Sequence, residues 1–392
     1  VKNNIKKASK EIFKSVVGFR RHIHQYPELS FKEEKTSAFI SSVLSEYNIK
    51  HTRGWAKHGI VAHIGKGKKC IALRADIDAL PILEENDVAY KSKKEGLMHA
   101  CGHDVHTASM LGTAIILKKI EKDLKGKVKI IFQPGEEKLP GGASIMIEEG
   151  VLSNPKPASI IGQHVHPPLE VGKVGVRSGK YMASADEIYL SVEGSGGHAA
   201  LPQNCVDTIL LSAQIIDALQ QVVSRRADPT IPTVLSFGKI NSQGGATNVI
   251  PSKVKIEGTF RTMNEKWRKE AHSIIKNIAK SIAKANGGKC SVNIKVGYPT
   301  LYNDESVTRK FFEYAVDYLG KSNVVELPIR MTSEDFSFYS QEIPACFYRL
   351  GTGNKKKNIV SPVHTPTFNV DENCLHIGSG LMAYYTYREL LL

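Results

Sequence analysis

No apolar run in this chain approaches the ~20 residues that a bilayer-spanning helix needs, which excludes a helical membrane protein. Cysteine is sparse: six residues, at 70, 101, 205, 290, 346 and 374, lie scattered with no CxxC pair. That pattern excludes a disulfide-stapled scaffold and fits free thiols in a reducing, cytoplasmic compartment. The stretch from Val1 to Lys14 is Lys-rich and amphipathic, unlike a secretion signal. Internal repeats and low-complexity tracts are absent, which removes repeat architectures. There is no helix-turn-helix, zinc-finger or RNA-recognition signature, and the Lys runs at 66–69 and 355–357 lack interleaved aromatics. The net charge of +14 therefore reads as a solvated basic surface that favours small anionic substrates, with no nucleic-acid partner. Gly194, Gly196 and Gly197 precede no GKS or GKT, so they form no phosphate-cradling loop.

What remains is globular material with one unusual cluster. A chain of 392 residues is long for one core and sufficient for two domains. Met98-His99-Ala100-Cys101-Gly102-His103-Asp104-Val105-His106 brings a thiol and three imidazoles together, directly before an apolar run (Ala108 to Leu117) that reads as a helix. Soft and borderline donors this close suit a divalent transition metal, zinc first. Cys101 and His103 are two apart, so both reach one point only where the backbone is extended or turning, at the mouth of that helix. The bland alternative is a structural cysteine with surface histidines.

Apolar spacing predicts helices over 5–24 and 33–47, broken at Tyr26-Pro27-Glu28. Strands are predicted at Ile60 to Ile64, Cys70 to Ala75, Val128 to Phe132 and Ser159 to Gln163, with helices from Cys101 to about Lys119 and from Ala143 to Glu149. Strands alternating with helices, with polar residues at strand ends, predict an α/β domain whose site lies at the strand C-termini. From Ser184 the texture changes. Strand, helix, strand, strand, helix and strand follow in order up to Val296, the ferredoxin-like signature. The fold class is thus α/β: a catalytic domain with a mixed sheet flanked by helices, over 1–183 and 299–392, with an α+β lid domain inserted at 184–298. After Pro299 helices are predicted near 305–320 and 372–391.

Candidate ligands cluster at predicted strand ends: Asp76 and Asp78, then Glu136 and Glu137, then His164. Cys101 and His103, and later His364 in Pro362-Val363-His364-Thr365-Pro366, lie in loops. Strand ends on one sheet edge converge in space, which raises the weight of histidines and carboxylates that would mean little singly. Adjacent residues in extended backbone point opposite ways. One carboxylate of Glu136-Glu137 can therefore hold a metal while its neighbour acts as general base on the attacking water. Asp76 can as readily pair with Arg74, and His99, His106 and His166 read as neighbours of the site.

These residues resemble the dinuclear metallopeptidase and amidohydrolase superfamily of aminoacylases and carboxypeptidases. More narrowly, the chain is similar to the branch of hippurate hydrolase, N-acyl-amino-acid amidohydrolases, N-acetyldiaminopimelate deacetylase and indole-acetyl-amino-acid hydrolases. The resemblance runs from Phe19-Arg20-Arg21-His22-Ile23-His24 and Pro27-Glu28-Leu29-Ser30 through Ala72-Leu73-Arg74-Ala75-Asp76-Ile77-Asp78-Ala79-Leu80-Pro81, the Cys101 cluster and Phe132-Gln133-Pro134-Gly135-Glu136-Glu137, and ends at His364. In the insert it takes in Gly194-Ser195-Gly196-Gly197-His198-Ala199-Ala200 and Thr247-Asn248-Val249-Ile250-Pro251. It implies that Cys101, His103, Glu137, His164 and His364 hold two divalent ions (zinc, manganese, nickel or cobalt), with Glu136 as general acid/base. It further implies that Asp78 orients a ligand and that His198, Asn248 and, more weakly, Arg261 contact substrate from the lid. Departures are Gly135 where many relatives have Ala, His166 where an aromatic is common and Gln203 where His is frequent.

The resulting expectation is a metal-dependent amidohydrolase acting on N-acyl amino acids, and a homodimer or tetramer formed through the lid. A dipeptidase or carboxypeptidase on the same scaffold is the rival within the class. A cysteine hydrolase using Cys101 and His103, or a binding protein without activity, are rivals outside it.

Overall fold

A computed structural model describes residues 1–391. The chain divides into two compact units. The larger comprises Val1–Tyr181, Tyr302–Ile329 and the chain from Asp335 onward; the smaller comprises Met182–Leu301 and Arg330–Glu334. The last segment lies inside the stretch 299–392, in sequence far from the rest of the smaller unit. Arg330–Glu334 groups with the smaller unit because its backbone and side chains bond there. The Ala183 N–H donates to the Arg330 and Thr332 carbonyls, and Arg261 donates to the Met331 carbonyl and the Ser333 hydroxyl. These partners are some 70–150 residues away in sequence, and no local pattern announces them.

In the larger unit eight strands form one mixed sheet. Across it the order is Lys50–Trp55, Gly59–Gly65, Lys127–Gln133, Cys70–Asp76, Ile160–Glu170, Ala345–Gly353, Val174–Val176 and Val324–Glu326. The four central strands run parallel to one another, so their C-terminal ends share one edge. Cys70–Asp76 and Ala345–Gly353 are buried along their whole length. Strands covered on both faces lose the alternation of apolar and polar residues. That is why Ala345–Gly353, which carries Arg349 and two glycines, escapes a reading based on period. The Ile160–Glu170 strand runs seven residues past the expected end at Gln163, so His164 lies within it rather than after it.

The helix His103–Lys119 is buried at every position from His103 to Leu117. A helix buried on every face needs cover on all sides. It packs on the Cys70–Asp76 strand and on the helices Phe13–Gln25 and Cys374–Leu391. A Cβ at Gly112 would lie 2.4 Å from the Ser379 hydroxyl, so glycine permits the close helix approach there. The expected helix over 5–24 is two helices, Lys2–Glu11 and Phe13–Gln25, meeting at Ile12. Its apolar spacing runs unbroken because Ile5, Ala8 and Val16 enter the same core. Among the described residues no helix is long and apolar enough to cross a membrane.

The smaller unit is ferredoxin-like. Its strands Asp186–Glu193, Thr233–Ser242, Lys253–Thr262 and Lys289–Val296 are antiparallel, in the spatial order second, third, first, fourth. The helices Thr208–Gln221 and Glu265–Ala285 cover one face. Leu211, Ile215 and Leu219 from the first, and Ala271, Ile275 and Ala279 from the second, pack on Ile188, Leu190, Val254 and Ile256. Each fully buried Leu or Ile contributes about 1.5–3 kcal/mol. Asp207 and Asn264 cap the two helices by accepting N–H groups of the first turn.

One buried ion pair fastens this unit. Asp186 accepts from Arg268, from His272 Nε2 at 2.6 Å and from the Gly297 N–H at 3.0 Å. Burial opposes its charge, but the bonds from Arg268 and His272 outweigh burial and hold its carboxyl at about 2. A carboxyl depressed on folding stabilises fully above its unfolded value and loses that contribution as pH falls through the folded one. Asp186→Asn leaves buried Arg268 with Glu265 as its remaining anion, at 3.0 Å, so a loss of about 3 kcal/mol is expected at neutral pH. Thermal melts of both proteins at about pH 6 and about pH 3 should show the gap narrowing at the lower pH. An unchanged gap would mean that the charge of Asp186 contributes nothing.

Candidate metal centre

At the shared edge of the central strands, chain turns replace side chains as the means of aim. Gly102, just before the helix His103–Lys119, has φ +86, and a Cβ there would meet Val165 at 2.5 Å. This left-handed residue lets Cys101 and His103 face the same space. His364 also sits at positive φ (+63), in its proline-flanked turn, and its N–H donates to the Ala100 carbonyl at 2.8 Å.

The candidate donors converge. Cys101 Sγ lies 3.4 Å from His164 Nε2 and 3.3 Å from His364 Nε2. Glu137 Oε1 is 3.2 Å from His364 Nε2 and 3.9 Å from His103 Nε2. Three overlapping groups, Cys101 with His103 and His164, Cys101 with Glu137 and His364, and His103 with Glu136 and Glu137, each have ligating atoms within 4.8 Å of one another. Bonds of ~2.0–2.3 Å to a tetrahedral ion place its ligands roughly 3.3–3.7 Å apart. His103 Nε2 and Glu137 Oε1 are buried and have no hydrogen-bond partner, which is costly unless a cation satisfies them. Donor set, spacing and orphaned atoms therefore fit divalent metal.

The surroundings prepare the same chemistry. Asp78 accepts from His103 Nδ1 at 3.1 Å, from Ser30 Oγ at 2.6 Å and from the Glu137 N–H at 2.9 Å. It thereby fixes the imidazole with Nε2 turned to the centre. Burial opposes the charge of Asp78, but the bonds from His103 and Ser30 outweigh it and hold the carboxyl below its usual range. Burial likewise disfavours an imidazolium at His103, yet Asp76, Asp78 and Glu137 push its pKa up to about 10, a negative field that suits a cation. Burial, then Glu137 and Glu136, raise the Cys101 thiol well above its ordinary value. A thiol so placed makes a poor nucleophile, which counts against the cysteine-hydrolase reading.

The neighbouring histidines have other duties. His106 Nδ1 meets Asp76 at 2.5 Å and its Nε2 accepts the Val165 N–H at 2.9 Å, so both nitrogens are engaged. Asp76 also takes Arg74 at 2.7 Å. His99 is buried with neither nitrogen bonded, and burial pushes its pKa down to about 3. His166 belongs to none of the donor groups found among the described residues.

Sequence reasoning missed Asp335 altogether. Its carboxylate accepts from Arg74, from Gln133 Nε2 at 2.7 Å and from the Ala143 N–H at 3.0 Å, while its own N–H donates to Glu136 Oε1 at 3.3 Å. Its partners come from four segments, which no spacing rule connects.

In the smaller unit, His198 and Asn248 are brought together. Gly197–His198 pairs with Val249–Ile250, and the Ala199 N–H donates to the Asn248 carbonyl at 2.9 Å. Both side chains are exposed. His198 Nδ1 accepts the Ala200 N–H at 3.1 Å, which leaves the proton on Nε2. Arg261 lies on the Lys253–Thr262 strand, half-buried, with its guanidinium turned to Met331 and Ser333.

The sequence profile of peptidase family M20/M25/M40 matches residues 72–388. The chain is 41% identical over 381 residues to the N-acetyl-L-cysteine deacetylase of Bacillus subtilis (strain 168), covering 96% of this chain and 88% of that one. It is 37% identical to thermostable carboxypeptidase 1 of Saccharolobus solfataricus, over 96% of this chain and 95% of that one. Among solved structures, the Bacillus subtilis YXEP protein, described as a dinuclear metal binding peptidase of the M20 family, superposes with a TM-score of 0.84 at 34% identity over 97% and 99% of the two chains.

Proposed function

The chain belongs to peptidase family M20/M25/M40 and is a hydrolase of amide bonds, and we propose that the bond it cleaves is the amide of an N-acyl amino acid. The observation that carries this reading is the convergence of Cys101, His103, Glu137, His164 and His364 beside Glu136. These five would hold two divalent ions, with zinc, manganese, nickel or cobalt all compatible with a mixed S, N and O set. Such ions, when bound, lower the pKa of the attacking water towards ~7 and polarise the amide carbonyl.

Glu136 takes a proton from that water and passes it to the leaving amine. The hydroxyl is added to the acyl carbon, the C–N bond breaks, and a carboxylic acid and a free amino acid result. The Asp335 N–H holds one oxygen of Glu136. Asp78 keeps His103 in the tautomer that ligates through Nε2. His198 Nε2–H serves as donor to the developing oxyanion once the smaller unit closes as a lid, from this chain or from a partner's lid. Asn248, with Arg261 in a lesser part, recognises the substrate carboxylate. The lid is also the surface through which a homodimer or tetramer forms, and six unpaired cysteines suit a cytoplasmic location.

Activity on N-acetyl, N-benzoyl and indole-acetyl amino acids, their methyl esters and dipeptides, with metals varied, tests the reading. N-acyl amino acids should be the better substrates, and esterification should raise KM strongly. Turnover of dipeptides alone would favour the carboxypeptidase-like reading. Equal rates on acid and ester would remove carboxylate recognition.

His198→Ala is expected to keep metal and melting temperature and to lose ~10²–10³ in kcat, the usual cost of one oxyanion donor. A histidine that only packs the lid would instead lose stability with kcat intact, so both are measured on one preparation.

A further inference from the structure

Glu33 is buried at 0% exposure and stands immediately before the helix Glu34–Glu46, in the N-cap position, where the side-chain oxygen of a Ser, Thr, Asp or Asn ordinarily accepts an N–H of the first turn. It makes no capping bond. That task falls to Glu28, whose Oε2 accepts the Thr36 N–H at 2.8 Å and the Thr36 hydroxyl at 3.0 Å. Freed from its helix, Glu33 reaches across 102 residues, and its Oε1 accepts the Gly135 N–H at 2.8 Å. Its Oε2 is buried with no partner. Gly135 has φ +65, and the ring of Phe31, itself at φ +64, fills the place of a Cβ at 2.4 Å. The turn from Phe31 to Glu33 thus clasps the residue that directly precedes Glu136.

We infer that Glu33 is a positioning residue, which sets the Gly135-Glu136-Glu137 loop through the Gly135 N–H. The inference rests on the reading of Glu136 as general base. Other bonds hold the loop at other atoms. The Gly135 carbonyl accepts from the Gly142 N–H at 3.0 Å, the Glu137 N–H goes to Asp78, and the Asp335 N–H reaches the Glu136 carboxylate. Among the described residues, Glu33 is the acceptor for the peptide N–H upstream of the base. A shift of about 1 Å in a reacting group can cost ~10²-fold in rate. Burial, and then Asp78, push the Glu33 carboxyl up to about 8, so a neutral amide of the same shape is a fair substitute.

The test compares kcat, KM, metal content and melting temperature for Glu33→Gln, Glu33→Ala and Glu136→Gln on an N-acyl amino acid that the parent enzyme hydrolyses. Glu33→Gln retains an oxygen for the Gly135 N–H and should restore kcat close to the parent value. Glu33→Ala should lose up to ~10²-fold in kcat with KM and metal content unchanged. If Glu33→Ala does not fold, Glu33→Asp, one methylene too short to reach, takes its place with the same expected loss. Unchanged kcat in folded Glu33→Ala, or a kcat that falls only in step with lost metal, overturns the inference while Glu136→Gln remains inactive. An active Glu136→Gln removes the reading of the base and the inference with it.

Discussion

Glu136→Gln is expected to lose ~10²–10⁴-fold in kcat, the range that a positioned general base supplies, while its metal content stays that of the parent. The amide is isosteric with the carboxylate and still accepts the Asp335 N–H through its oxygen, so the loop keeps its shape. What it lacks is a lone pair that takes a proton at neutral pH. On the proposed role of Glu136, turnover would depend on that transfer twice, from water and then to the amine. Glu137→Gln should behave in the opposite way. Its Oε1 is the buried oxygen without a hydrogen-bond partner, close to His364 and His103. Neutralising it removes a charged donor, so metal should be lost first and activity restored in part by excess metal. Elemental analysis beside steady-state kinetics separates the two. The reverse pattern would exchange the roles of base and ligand.

The adjacency of these two residues is also where the sequence was most readable. Cys101-Gly102-His103 needed a turn to aim two donors at one point, and Gly102 supplies it at φ +86. Glu136-Glu137 follows a buried strand whose end lies beside that of Cys70–Asp76, and strand order alone brings Glu136-Glu137 near Asp76 and Asp78. The lid order was legible because each of its strands has one wet face and each helix one apolar stripe. Legibility failed where burial is complete or pairing is distant. Ala345–Gly353 has no exposed face to alternate with. Arg330–Glu334 joins the smaller unit by hydrogen bonds to residues some 70–150 positions away. Glu33 and Asp335 act by reaching the loop around Glu136 across 102 and 199 residues. Local period carries no information about such bonds. Arg74, Asp76 and His106 were ambiguous for a different reason: the same side chains suit a ligand set or a buried network. The engagement of both His106 nitrogens favours the network.

Cys101→Ala is expected to lose metal and activity together. Cys101 Sγ lies within 3.4 Å of both His164 and His364, a position from which it would ligate beside either histidine. It is also the softest donor present, and an alanine methyl cannot replace a thiolate towards zinc, nickel or cobalt. Burial and the nearby glutamates disfavour the free thiolate, so ligation by Cys101 would displace its proton. Binding should therefore release protons and tighten as pH rises. In the variant that proton release should shrink, and the orphaned His103 Nε2 and Glu137 Oε1 should be left without a shared cation. Parent protein reconstituted with metal should approach two ions per chain, and Cys101→Ala should fall well short of it under the same conditions. Residual turnover should follow occupancy rather than protein concentration. A firm value of one ion per chain with full activity in the parent would sink the dinuclear reading. A Cys101→Ala protein that keeps its metal but not its turnover would move Cys101 from the ligands to the chemistry.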